Sequence, residues 1–379
     1  MLHLSSSSSP LVQCSFSMGE AHEPDIIEAS QLPPEIAAFT KLRPSSKLFN
    51  LRWWLLLSLY TLFILAGQTA ATLLGRFYYN QGGKSLWMST IATSSGFPLL
   101  IPLIFLLPSP SPRPSLSKLA ITYTILGLLV AGDNLMYSYG LLYLPVSTYS
   151  LLCSTQLAFN AIFSYILNSQ KFTPFIFNSI ILLTLAATLL SVHSEGGGGG
   201  AAASTHLYSL GITLTLAASA LFSLVLSLTQ LAFEKVIKAE TFASVLEMIL
   251  WTGFISSAAS VAGLFAGGEW RGIRDEAAGF EKGRTSYAMT LIWISVCWLV
   301  YSVGATGLIF MVSSLFSNVF GTAGLPLIQI FAVVFFREKM DGVKVVALFI
   351  SILGFANYLY QHYLDDSNKK KVVRRADHS

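Results

Sequence analysis

The stretch Leu119–Leu167, LAITYTILGLLVAGDNLMYSYGLLYLPVSTYSLLCSTQLAFNAIFSYIL, decides the fold. Between Leu119 and Gln170 the sole charged side chain is Asp133. The run contains two apolar segments, 119–139 and 145–167, joined by the short link 140–144. About twenty helical residues cross a hydrocarbon core of about 30 Å. The strict alternation of a membrane β-strand is missing, so the two segments read as a tight helical hairpin across a bilayer.

The same reading extends outward in both directions. Apolar segments of spanning length fall at 53–74, 87–107, 174–193, 207–233, 243–266, 287–309, 313–335 and 343–363. The whole chain is 53% hydrophobic and only 11% charged, with mean hydropathy +0.62. A soluble domain carries about a quarter of its residues as Asp, Glu, Lys and Arg. The expected fold is therefore all-α and polytopic, with ten transmembrane helices.

The ten segments divide into two halves. Lys118, an almost charge-free hairpin and NSQKFTP (168–174) are echoed by Arg284, an uncharged hairpin and FREKMDG (336–342), at an offset of about 168 residues. The echo is one of hydropathy, not of residue identity. Between the halves lies HSEGGGGGAAAST (193–205), a flexible linker by composition. Five spans per half is an odd number, so the halves must be inverted relative to each other, a plan typical of secondary transporters. The expected organisation is a disordered cytosolic tail (1–50), a first five-helix repeat (51–193), a Gly-rich linker (194–206), a second repeat (207–364) and a basic cytosolic tail (365–379). Lys41, Arg43, Lys47 and Arg52 before the first span, and five Lys or Arg after Asn368, place both termini in the cytosol.

Several chemistries are disfavoured. Cys14, Cys153 and Cys297 are scattered, with neither metal-ligand nor disulfide spacing. GGKS at 82–85 lacks the spaced first glycine of a nucleotide-binding loop, and no Lys or Arg lies deep in a span, against a carrier of dianions. No catalytic group, metal, organic cofactor or nucleic-acid partner is expected. A proton gradient is the expected energy source.

Polar side chains inside a span cost energy and should face a cavity or one another. Asp133 sits about 21 Å along its helix from Leu119, too deep to reach the interface comfortably. Asn134 adjoins it, and Tyr137 lies one turn on, on the same face. At the 168-residue offset its counterpart is Tyr301, so the carboxylate is not an element of both halves; the alternative to a transport role is a helix-packing hydrogen bond to Tyr137 or to a neighbouring backbone. Gln156 and Asn160, four apart, offer amides that match the donor–acceptor edge of a purine base; the alternative is helix joining. Glu247 and Trp251 are also four apart. A carboxylate at that depth would exchange a proton, because desolvation favours its neutral form; the alternative is pairing with Lys235 or Lys238. Gln68, Trp298 and Asn318 complete the set. Glu247 is the first candidate for proton coupling and Asp133 the second. Gln156 and Asn160 would read a ring edge while Trp251 or Trp298 stacks on its face.

The segments AGQTAATLLGRFYYNQGGKS (66–85), DNLMYSYGLLYLPVSTYSLLCSTQLAFNAIFSYILNSQKFTP (133–174), VLEM (245–248) and GLIFMVSSLFSN (307–318) resemble the plant purine permease family of the drug/metabolite transporter superfamily. The similarity runs from about 50 to 365, and Gln68, Asp133, Asn134, Gln156, Asn160 and Glu247 stand within its motifs. The resemblance implies ten helices in two inverted repeats. It also implies proton-coupled uptake of adenine, cytokinins or related heterocycles. Ser227, where relatives commonly carry proline, and the setting of Pro326 and Gln329 depart from the pattern. The expected function is therefore a proton symporter of nucleobase-like heterocycles in the plasma membrane, or in the vacuolar membrane. The rivals are an alkaloid carrier on the same scaffold and a membrane protein that signals or scaffolds without moving solute.

Overall fold

The computed structural model describes residues 46–106, 115–168, 202–238, 241–338 and 341–354, with short runs within 174–185 and 356–360. The compact unit begins at Trp54. Eight helices among the described residues are long and apolar enough to cross a membrane: α1 (Arg52–Asn80), α2 (Leu86–Leu106), α3 (Leu116–Tyr143), α4 (Val146–Asn168), α5 (His206–Ile237), α6 (Phe242–Ala266), α7 (Gly283–Met311) and α8 (Ser314–Phe336). A shorter apolar helix, Gly342–Gly354, stands at the start of the expected tenth segment. The expected fifth segment, 174–193, lies largely outside the described residues, as do most of both tails and most of the linker. No described residue is in a strand.

The surface is apolar where that of a water-soluble bundle is polar, while the core keeps buried apolar clusters. Leu55, Phe105, Leu106, Trp293, Val334 and Phe335 are each more than half exposed, an apolar coat suited to lipid. Inside, small hydroxyl residues are abundant. Thr90, Thr215, Ser219, Ser223 and Ser260 each donate to a carbonyl one turn earlier in their own helix, so burial leaves none of these hydroxyls unmet. Small side chains let helix backbones approach closely without a water-driven hydrophobic effect. One close approach joins α1 to α7: a Cβ built on Gly67 would lie 2.7 Å from the Tyr301 nitrogen, and one on Gly304 2.6 Å from the Tyr60 oxygen.

Two helices are interrupted at mid-depth. In α2, Pro98 follows Gly96, and residues Phe97–Leu100 tighten into a 3₁₀ turn. In α4, the hydroxyls of Ser154 and Thr155 donate to the carbonyls of Leu151 and Leu152 at 2.6 and 2.7 Å. Their backbone N–H groups turn to the same two oxygens, at 3.1 Å each. The helix therefore breaks into Val146–Cys153 and Gln156–Asn168, which puts Gln156 at the start of a half-helix. Back-bonding by Ser and Thr competes with the helical ladder in this way.

The end of the bundle where α1 and α3 finish is cross-linked by side-chain hydrogen bonds. Arg76 donates to the carbonyls of Leu141 and Leu144 at 2.9 and 3.0 Å. Glu338 accepts from the first free N–H groups of α4, Val146 at 2.8 Å and Ser147 at 3.0 Å, where the helix dipole favours an anion. The α6–α7 connection, which carries the short helix Ile273–Gly279, is fastened to the α1–α2 turn. Glu276 accepts from Tyr78, from the Ser85 N–H at 3.0 Å and from Tyr287 at 3.2 Å. Glu269 accepts from the Ser85 hydroxyl at 2.6 Å. Replacing Glu276 by Ala takes an acceptor from three donors, of which Tyr78 keeps the Ser85 carbonyl at 3.2 Å. The variant should be destabilised by about 1–3 kcal/mol, read as a lowered melting temperature in detergent, with Glu276→Gln intermediate. Equal melting of Glu276→Ala and the wild type would show that this fastening contributes nothing.

Candidate functional site

Helices α2, α3, α5, α6 and α7 surround a cavity of about 150 Å³. Its walls include Thr229, Met248 and Ile309, which lie close to the ends of α5, α6 and α7 respectively. The cavity therefore sits between mid-depth and the end opposite the Glu276 fastening. A second lobe of about 60 Å³ continues toward the Glu276 end, reaching Gly75, Leu141 and Ile294. Thr93, Asp133, Asn134, Phe222 and Trp298 line both lobes. No Lys, Arg or His is among the residues lining either lobe.

Asp133 is the single acid of this lining. It is 4% exposed, and its Oδ1 has no hydrogen-bond partner among the described residues. A buried, unmatched carboxylate oxygen is costly, and one placed on a cavity wall can recover that cost from a proton or a ligand donor. Tyr137 lines the smaller lobe, donates to the Ser219 hydroxyl at 3.3 Å, and packs edge-on against Tyr149 with ring centres 5.9 Å apart. Trp298 stands perpendicular to Tyr301, centres 5.3 Å apart, and both face the larger lobe. Asp133, Asn134, Tyr137 and Trp298 thus come together on one cavity, as four members of the sequence-derived set.

Three amides gather beside it. Gln68, Gln156 and Asn318 are all buried. Gln68 Oε1, Gln156 Nε2 and Asn318 Oδ1 have no hydrogen-bond partner among the described residues. The Asn318 amide donates to the Gln156 carbonyl oxygen at 3.0 Å, and Ser223 donates to the same oxygen at 2.7 Å, which pins the break in α4 to α8 and α5.

The remaining residues stand elsewhere. Asn160 is fully buried and fully engaged: it donates to the Ser314 carbonyl at 3.2 Å and accepts from Ser227 at 2.9 Å, tying α4, α5 and α8. Glu247 is half-buried on α6 and lines neither lobe, although its neighbours Met248 and Ile249 line the larger one. Trp251 is 47% exposed on the outer face of α6, edge-on to Phe254 with centres 6.2 Å apart.

Sequence reasoning passed over Phe222 and Tyr301 as site residues. The signal for Tyr301 was present, since it is the offset counterpart of Asp133 and lines the same cavity. For Phe222, one aromatic among the 26 phenylalanines, no sequence signal existed. Among the described residues no three His, Cys, Asp or Glu side chains come together as metal ligands.

A family model described as purine nucleobase transmembrane transport matches residues 55–368. The protein named probable purine permease 11 of Arabidopsis thaliana is 48% identical over 339 residues, covering 88% of this chain and 89% of its own. Probable purine permease 10 of the same plant is 48% identical over 325 residues, covering 84% and 83%. Purine permease 21, also from Arabidopsis thaliana, is 47% identical over 325 residues, again covering 84% and 83%. With a family match across most of its length and relatives this similar, the chain belongs to the purine nucleobase transporter family and is a membrane permease, not an enzyme.

Proposed function

We propose that this chain is a proton-coupled uptake carrier for purine bases, adenine foremost, and for related cytokinin-type heterocycles. It works as ten spans in two inverted halves, in the plasma membrane, with both termini cytosolic. The observation that carries the reading is Asp133, the single acid on a cavity lined by no cation and with its Oδ1 unmatched among the described residues, at the meeting of α2 and α3 with α5, α6 and α7. Such a lining suits a neutral or weakly basic flat ring and disfavours phosphorylated solutes. The family description and the names of the relatives point to the same substrate class.

In this reading Asp133, rather than Glu247, carries the coupling proton, because Asp133 touches the space that a substrate would occupy. Phe222 and Trp298 supply the ring faces. The hydrogen-bonded Glu276 end and the cavity's offset toward the opposite end fit one state of an alternating-access cycle. The reading is tested by ring stacking. Trp298→Ala should weaken adenine binding about tenfold, within the about 1–3 kcal/mol that base–aromatic stacking contributes, whereas Trp251→Ala should bind adenine as the wild type does. Equal losses in both variants, or a loss confined to Trp251→Ala, would place the substrate outside this cavity.

A further inference from the structure

We propose that Gly321 is a specificity-determining position: the missing side chain keeps open a slot on α8 that receives the hydrogen-bonding edge of the heterocycle. The inference rests on the transport reading above and adds to it how the ring would be recognised. A Cβ built on Gly321 would lie 3.6 Å from Gln68 Oε1, 3.6 Å from the Tyr301 hydroxyl and 3.8 Å from Gln156 Nε2. Polar atoms of α1, α7 and α4 thus converge on one point of a fourth helix. A ligand atom in van der Waals contact with the Gly321 Cα would stand beyond that point, on the side of the three polar atoms and nearer to them.

Two of the three have no hydrogen-bond partner among the described residues. Gln68 Oε1 is an unmet acceptor and Gln156 Nε2 an unmet donor, on side chains 7% and 3% exposed. The pair complements an edge that offers a donor beside an acceptor, as an exocyclic amine next to a ring nitrogen does. Tyr301 connects the slot to the cavity, because it lines the larger lobe while its hydroxyl faces Gly321. The ring would lie against Trp298 and reach past Tyr301 with its polar edge. Gly321 is therefore more than a packing glycine: an alanine methyl there would make ordinary van der Waals contacts, unlike the sub-3 Å backbone clashes at Gly67 and Gly304. What the methyl takes away is the space for the ligand atom.

The probes are adenine and unsubstituted purine, which differ only by the amino group. Binding of each is measured to the purified full-length protein, wild type and Gly321→Ala, alongside the melting temperature. The wild type should prefer adenine over purine by about tenfold or more, because purine leaves the Gln68 acceptor unmet. Gly321→Ala should melt at or above the wild-type temperature, since alanine favours the helix, yet bind both probes with similar, weaker affinity. Gln68→Leu, which removes the acceptor and leaves the slot open, should lower adenine to the level of purine and leave purine unchanged. A well-folded Gly321→Ala that keeps the wild-type preference overturns the slot while leaving the transport reading intact. A wild type that is folded and binds neither probe overturns both.

Discussion

Asp133→Asn should abolish the accumulation of adenine by proteoliposomes while leaving exchange of internal for external adenine in place. Asparagine keeps the size and hydrogen-bonding capacity of the side chain and removes only the titratable oxygen. One charge moving through 100 mV gains about 2.3 kcal/mol, nearly a fiftyfold concentration ratio before any pH gradient is counted. If Asp133 carries that charge as a proton, the ratio in the variant falls to unity. Glu247 lies off the cavity lining, so Glu247→Gln should still concentrate adenine. The reverse pattern, accumulation lost in Glu247→Gln and kept in Asp133→Asn, would move the coupling site to α6.

Gly304→Val should strongly destabilise the described bundle. A Cβ there meets the Tyr60 carbonyl oxygen at 2.6 Å and the Ile64 nitrogen at 3.0 Å, both backbone atoms that cannot turn away. Gly307, one turn on, holds the Tyr60 ring at 2.8 Å from its own Cβ position, so the neighbouring turn offers no slack. Overpacking of this kind costs about 3 kcal/mol when neighbours must shift. The change also prises α1 from α7, separating Gln68 from Tyr301, so that transport should fall together with the melting temperature. A Gly304→Val protein that melts like the wild type would contradict the α1–α7 contact. Gly321→Ala, made on the same class of residue, provides the contrast because its new methyl meets nothing closer than 3.6 Å outside its own helix, and its three nearest neighbours are side-chain atoms.

Depth in the membrane was legible in the sequence; direction around each helix was not. Asp133 stood out because no other charge lies between Leu119 and Gln170, and the structure places it on the wall between two cavity lobes. The helical hairpin read from that stretch is present as α3 and α4, joined through Leu144 and Pro145. Helix α6 shows where the signal fails. It is apolar nearly all round, so periodicity could not tell that Met248 and Ile249 face the cavity while Trp251 faces outward. Gln156 and Asn160, four apart, were expected to act as a pair. The break at Ser154 and Thr155 starts a new half-helix at Gln156, whose side-chain amide nitrogen is left without a partner. One turn on, Asn160 spends its amide on Ser314 and Ser227. Such partners come from helices more than sixty residues away in the chain, which a single sequence does not display.

The central claim is coupled movement of a purine base through this cavity. The direct test is uptake of labelled adenine by proteoliposomes holding the purified wild-type protein, under an inward proton gradient, with and without a protonophore. Accumulation that collapses to equilibration when the protonophore is added is the predicted result. Adenine uptake that the protonophore leaves untouched, or no adenine flux through folded protein, would contradict it.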